Sequence, residues 1–166
     1  MTKNDLPTDF NLKLALFDLL PVICFGVSLI LISAMFDSCL FLLGSLLILI
    51  AGISKVLWKI IVVLKRKNIW FLFMQMRTIM PIGLVLIIAS LVINLKNINL
   101  DSILFFLTNI PYCIFFGIGF VNMTLMIIFM FKLDNKSLRN NWIEETVNCI
   151  AQLAIMIGML SIYFRY

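Results

Sequence analysis

The chain has 166 residues, 63% of them hydrophobic and 13% charged, with no histidine and a net charge of +5. Soluble domains carry about 45–50% apolar and about 25% charged residues, so a water-soluble globule is excluded and lipid must solvate much of this surface. Without histidine, His-based acid–base chemistry, Ser–His and Cys–His pairs and the commonest zinc and haem ligand are excluded as well.

A hydrocarbon core about 30 Å thick takes about 20 apolar residues as a helix, with every backbone polar group bonded internally. On that measure the sequence predicts an all-α integral membrane protein, a five-helix transmembrane bundle with short loops in a single domain. The first apolar run follows a mixed N-terminus (Lys3, Asp5, Asp9), contains Asp18 and Pro21, and lacks a small-residue cleavage site. It therefore reads as an uncleaved first span, 14–35, and not as a signal peptide. Phe36, Asp37 and Ser38 leave room for a tight hairpin into the second span, 39–58, whose helix continues past Lys59 to Leu64 at the interface.

The third span is 71–93, followed by an asparagine-rich loop. The 30 residues 102–131 are nearly uncharged and too long for one straight crossing. Pro111 suits a first helical turn and Asn109 a cap, which places the fourth span at 111–131. Residues 102–108 then form a short interfacial or re-entrant segment, with one long kinked helix as the alternative. The fifth span is 147–164. Asn141 and Glu144 have capping-box spacing, so its helix is expected to begin near Trp142, with Glu144 and Glu145 at the positive end of the helix dipole.

Five spans put the termini on opposite sides. With the N-terminus cytoplasmic, eleven of the thirteen Lys and Arg fall inside, and only Lys96 and Arg165 fall outside, as the positive-inside rule requires. Trp58, Trp70 and Trp142 then mark the inner interface, and Tyr163 and Tyr166 the outer one. The richness in Ile, Asn and Lys points to an AT-rich genome, and so to the plasma membrane of a bacterium, its inner membrane.

Intramembrane charges are functional candidates by default. Counting about 20 residues inward from the outer ends puts Asp18, Lys55 and Arg77 within a turn of the cytoplasmic interface. Lys55 and Arg77 can snorkel from there. Asp18 is shorter and calls for a partner, with Lys55, Lys59 and Arg77 as the candidates. Glu145, Asn148 and Gln152 share one helical face, as do Gln75 and Thr78, and Asn122 lies near the midplane. These polar groups are expected either to hydrogen-bond between helices or to line a cytoplasm-facing vestibule. Lys59, Lys65, Arg66 and Lys67 form a juxtamembrane basic patch suited to anionic lipid headgroups. Ala154 with Gly158, and Gly117 with Gly119, are small residues that would permit close helix contact.

The cysteines Cys24, Cys39, Cys113 and Cys149 form no close pair, so neither a metal clip nor a redox dithiol is indicated and no cofactor is implied. Asp18 is the only acidic residue within a span core, which leaves no aspartyl dyad. The expected function is that of a non-enzymatic accessory, scaffold or regulatory subunit. Its partners would be the lipid bilayer with its anionic headgroups and another membrane protein or a second copy, with no nucleic acid. The alternative is a small transporter or channel protomer working as a homo-oligomer. A lipid-active enzyme built on Glu144 or Glu145 has only their interfacial position behind it.

Overall fold

The computed structural model describes residues 11–35, 38–95, 100–133 and 137–165. Among them are seven helices and no strand: α1 (Leu12–Phe17), α2 (Leu19–Met35), α3 (Cys39–Lys65), α4 (Trp70–Ile93), α5 (Leu100–Thr108), α6 (Tyr112–Lys132) and α7 (Leu138–Tyr163). Four stretches are long and apolar enough to cross a membrane: Leu12–Ala34, Cys39–Lys65, Tyr112–Phe129 and Leu138–Tyr163. The expected third span lies on α4, where the described apolar stretch, Thr78–Ile93, is shorter.

Pro21 explains why the first span is two helices. It has no N–H to give, and its ring crowds the carbonyl four residues back, that of Phe17. The helix ladder breaks there, at Asp18. The Asp18 N–H still reaches Leu14 O at 3.0 Å, so α1 runs into α2 with only a local break. At the start of α3, Ser38 Oγ accepts from the Phe41 N–H. The helix ends where Arg66 turns left-handed, with φ 49° and its N–H on Val62 O. The expected hairpin residues Phe36 and Asp37 lie outside the described residues.

Two expected caps are corrected. Asn109 does not cap α6; its side-chain amide donates to Phe105 O at 2.9 Å and so finishes α5, while Pro111 takes the N-cap position of α6. Residues 102–108 therefore belong to a helix of their own, α5, and the single kinked helix is not formed. The Asn141–Glu144 capping box is not formed either. Helix α7 begins a turn earlier, at Leu138 after Ser137, which makes Asn141 a buried helical residue. Glu144 and Glu145 then lie beyond the first turn, where the helix dipole has little effect.

The helices pack in the lateral order α4, α3, α1/α2, α7, α6, with α5 against α6. Glycines set the closest approaches. A Cβ on Gly44 would lie 2.6 Å from Gly83 O, and one on Gly83 would lie 2.7 Å from Gly44 O, so α3 and α4 meet backbone to backbone. On the other side Gly119 faces Ile155 and Gly158 faces Phe116, which seats α6 on α7. At one end of the bundle Ser38 and Ser90 share a 2.7 Å hydrogen bond, and Arg165 Nη1 donates to Tyr112 Oη at 3.0 Å. The opposite end holds Asp18, Lys55, Lys59 and Glu145.

Candidate functional site

Lys55 and Lys59 are four residues apart on α3 and so project from one face. That face meets the α1/α2 break and the first half of α7. Lys59 Nζ lies 2.6 Å from Asp18 Oδ2 and 2.6 Å from Glu145 Oε1. Lys55 Nζ stands further off, 3.6 Å from the same Asp18 oxygen and 3.3 Å from the same Glu145 oxygen. Three of the four side chains are almost fully enclosed, Asp18 at 2% exposure, Lys59 at 6% and Glu145 at 7%, whereas Lys55 keeps 31%. Lys59 is the buried centre and Lys55 the outer member.

Two ammonium groups facing two carboxylates cancel in formal charge, which is the condition for keeping ions away from water. The position along the helix eases the cost further. About 20 residues of α3 counted from Cys39 reach Trp58, so the cluster sits at the edge of the apolar layer. The lysine contacts to Glu145 are hydrogen bonds as well as ion pairs. Asp18 Oδ2 is held by charge, and Glu145 Oε2 is buried without a hydrogen-bond partner. Phe17 and Trp142 pack with ring centroids 5.4 Å apart beside this junction, adding an apolar wall between α1 and α7.

Lys59 thus departs from the expectation that grouped it with the headgroup-facing patch. It is followed by Ile60, Ile61, Val62 and Val63, and a lysine inside such an aliphatic run is enclosed with its neighbours. Lys65, Arg66 and Lys67 are exposed. Trp58 also departs from its expected place in an interfacial belt. It is 4% exposed, and its indole N–H donates to Asn68 Oδ1 at 3.0 Å, which ties the α3–α4 connection back onto α3. Trp70 is exposed. Tyr166 lies outside the described residues.

Asn122, Gln152 and Thr78, also expected among the polar groups, bond elsewhere. Asn122 Nδ2 donates to Ile118 O on its own helix at 2.8 Å. Gln152 is buried and its amide meets Met123 Sδ at 3.6 Å, between α7 and α6. Gln75 and Asn148 are half-buried on α4 and α7. Arg77 lies on α4, with its side chain outside what is described. Thr78 Oγ donates to Met74 O. A recess of about 30 Å³ opens between α2 and α3, lined by residues such as Gly26, Leu29, Ser33 and Ser45, away from the charges. No group of side chains suited to a metal ion occurs among the described residues. The arrangement acts as an electrostatic clamp across three helical elements.

The close glycine pair Gly44–Gly83, the Trp58–Asn68 tie and the Arg165–Tyr112 contact went unread in the sequence. Gly44 and Ala51, seven apart on α3, share a face, and that spacing was the available signal. No protein-family model, curated protein or solved structure matches the chain.

Proposed function

We propose that the chain is a five-span, non-enzymatic accessory or scaffold subunit of a plasma-membrane complex, with its N-terminus cytoplasmic and its C-terminus outside. The observation that carries this reading is where the polar side chains go. Asp18, Lys59 and Glu145 close on one another, Asn122 bonds its own helix, and Gln152 meets Met123. A transporter or channel protomer would need such groups turned toward a shared aqueous cavity. The lateral helix order adds support, because it leaves apolar side chains of both edge helices outward, among them Val85 and Val92 on α4 and Phe120 and Ile127 on α6. Such faces suit lipid or the helices of a partner.

The test is crosslinking in the native membrane followed by gentle purification through a terminal tag. A second membrane protein recovered in fixed stoichiometry, and lost on apolar-to-bulky substitution along α4 or α6, is the expected outcome. Recovery of a symmetric ring of this chain alone, with solute flux in reconstituted vesicles, would instead establish the transporter or channel reading.

A further inference from the structure

The connection between α3 and α4 combines features that a topology signal alone does not need. Lys65, Arg66 and Lys67 are all exposed, and none of the ion pairs among the described residues engages them. Large apolar side chains flank them on both sides: Leu64, Ile69 and Trp70 are exposed, and Phe71 is 68% exposed. This stretch is tied down at three points, two through the backbone and one through a side chain. The Arg66 N–H bonds Val62 O at 3.1 Å, the Leu72 N–H bonds Ile69 O at 3.0 Å, and the buried Trp58 indole holds Asn68 at 3.0 Å.

Depth matters as well. Helix α3 has 27 residues, about 40 Å at about 1.5 Å per residue, which exceeds an apolar core of about 30 Å. Its last turns therefore stand in the headgroup layer. A segment there with three cations between apolar anchors matches a surface that is hydrocarbon below and anionic phosphate above.

We propose that residues 64–71 form an anionic-phospholipid contact in which the Trp58–Asn68 tie holds Lys65, Arg66 and Lys67 at phosphate depth. Leu64, Ile69, Trp70 and Phe71 sit below them in the acyl boundary. The occupant is the phosphate of an anionic diacyl lipid, chosen over an acidic protein surface because the apolar flanks need hydrocarbon beneath the charge. Lys59, enclosed in the ion cluster, takes no part. The proposal stands independently of whether the protein is a scaffold or a transporter.

The full-length chain is reconstituted into vesicles of equimolar phosphatidylcholine and phosphatidylglycerol and re-extracted, and the retained lipids are counted by native mass spectrometry. Enrichment of phosphatidylglycerol is expected, falling by up to about fivefold for each of Lys65→Gln, Arg66→Gln and Lys67→Gln. Asn68→Leu keeps all three charges and is expected to lower the enrichment as well. Monodispersity and helical circular dichroism equal to those of the parent chain show that each variant has folded. Equal retention of the two lipids by the parent chain overturns the contact, and so does an acidic protein that co-purifies through these cations in place of lipid. Undiminished enrichment in Asn68→Leu overturns the positioning by Trp58.

Discussion

Lys59 differs from Lys55 in distance and in enclosure, and the two differences act in the same direction. Lys59 touches both carboxylates at 2.6 Å with 6% of its side chain exposed, whereas Lys55 stands at 3.3 and 3.6 Å with 31% exposed. Removing the central ammonium would leave Asp18 and Glu145 facing each other across a dry gap with only the outer lysine to offset them. Breaking a buried pair in that way costs about 3–5 kcal/mol, while a partly exposed pair is worth about 1 kcal/mol or less. Lys59→Met is therefore expected to lower the thermal midpoint of the purified protein sharply, and Lys55→Met only slightly. Equal losses from the two substitutions would sink the assignment of Lys59 as the centre. Neutralising both sides together, Lys59→Met with Glu145→Gln, is expected to recover part of the loss, because the uncompensated carboxylate is what makes the single change costly.

At the scale of helix pairs, contact is decided by what the backbones allow. Gly44 and Gly83 each present bare backbone to the other, so a methyl group at either one meets a carbonyl oxygen that has nowhere to move. Gly117 has nothing within 4 Å of its Cβ position, although it too lies in a membrane helix. Gly44→Ala and Gly83→Ala are each expected to destabilise by about 1–3 kcal/mol through overpacking. Gly117→Ala is expected to be neutral or to stabilise by about 0.5–1 kcal/mol through helix propensity. Thermal unfolding in lipid nanodiscs reads the contrast, and a Gly117→Ala loss as large as that of Gly44→Ala would refute it. The approximate placement of the apolar helices was legible in the sequence because apolar run length and Pro111 act locally along the chain, whereas the break at Pro21 and the earlier start of α7 were not read. The sequence also narrowed the partners of Asp18 to a few basic residues, since a short carboxylate near an interface needs one. It did not reveal that Lys59 lies inside, that Trp58 ties down Asn68, or that Gly44 faces Gly83. Each depends on which helix lies alongside and in what register, and hydropathy along one strand of sequence carries no register. Asn109 was misread because its amide goes to the nearer Phe105 carbonyl, and Asn141 because α7 already begins a turn earlier, at Leu138.

The course of the whole chain along the helix bundle follows from which contacts share an end. Trp58 meets Asn68 beside the charged cluster, while Ser38 meets Ser90 at the opposite end, with Gly44 against Gly83 between them. Over 20 residues of α3 the partner position moves back by 22 on the α4 side, so the two helices run antiparallel through the same thickness. With 24 residues, α4 is about 36 Å long at about 1.5 Å per residue, enough for a core of about 30 Å. The return path agrees. Glu145 near the start of α7 is at the cluster end, and Arg165 just beyond its C-terminus meets Tyr112 at the start of α6. The chain therefore passes from one end of the bundle to the other between residues 68 and 112, and α4 runs along that path. The proposed fifth crossing would lie on α4, and single-cysteine labelling tests it. In a chain with Cys24, Cys39, Cys113 and Cys149 replaced by alanine, cysteines are placed at exposed Lys67, Leu95 and Arg139. A membrane-impermeant maleimide added to intact cells is expected to label Leu95→Cys, and to reach Lys67→Cys and Arg139→Cys only after permeabilisation. Labelling of Lys67→Cys and Leu95→Cys from the same side would show that α4 does not cross. A complete inversion of the pattern would keep five crossings and reverse the orientation, placing the Lys65–Lys67 run on the outer surface against the positive-inside rule.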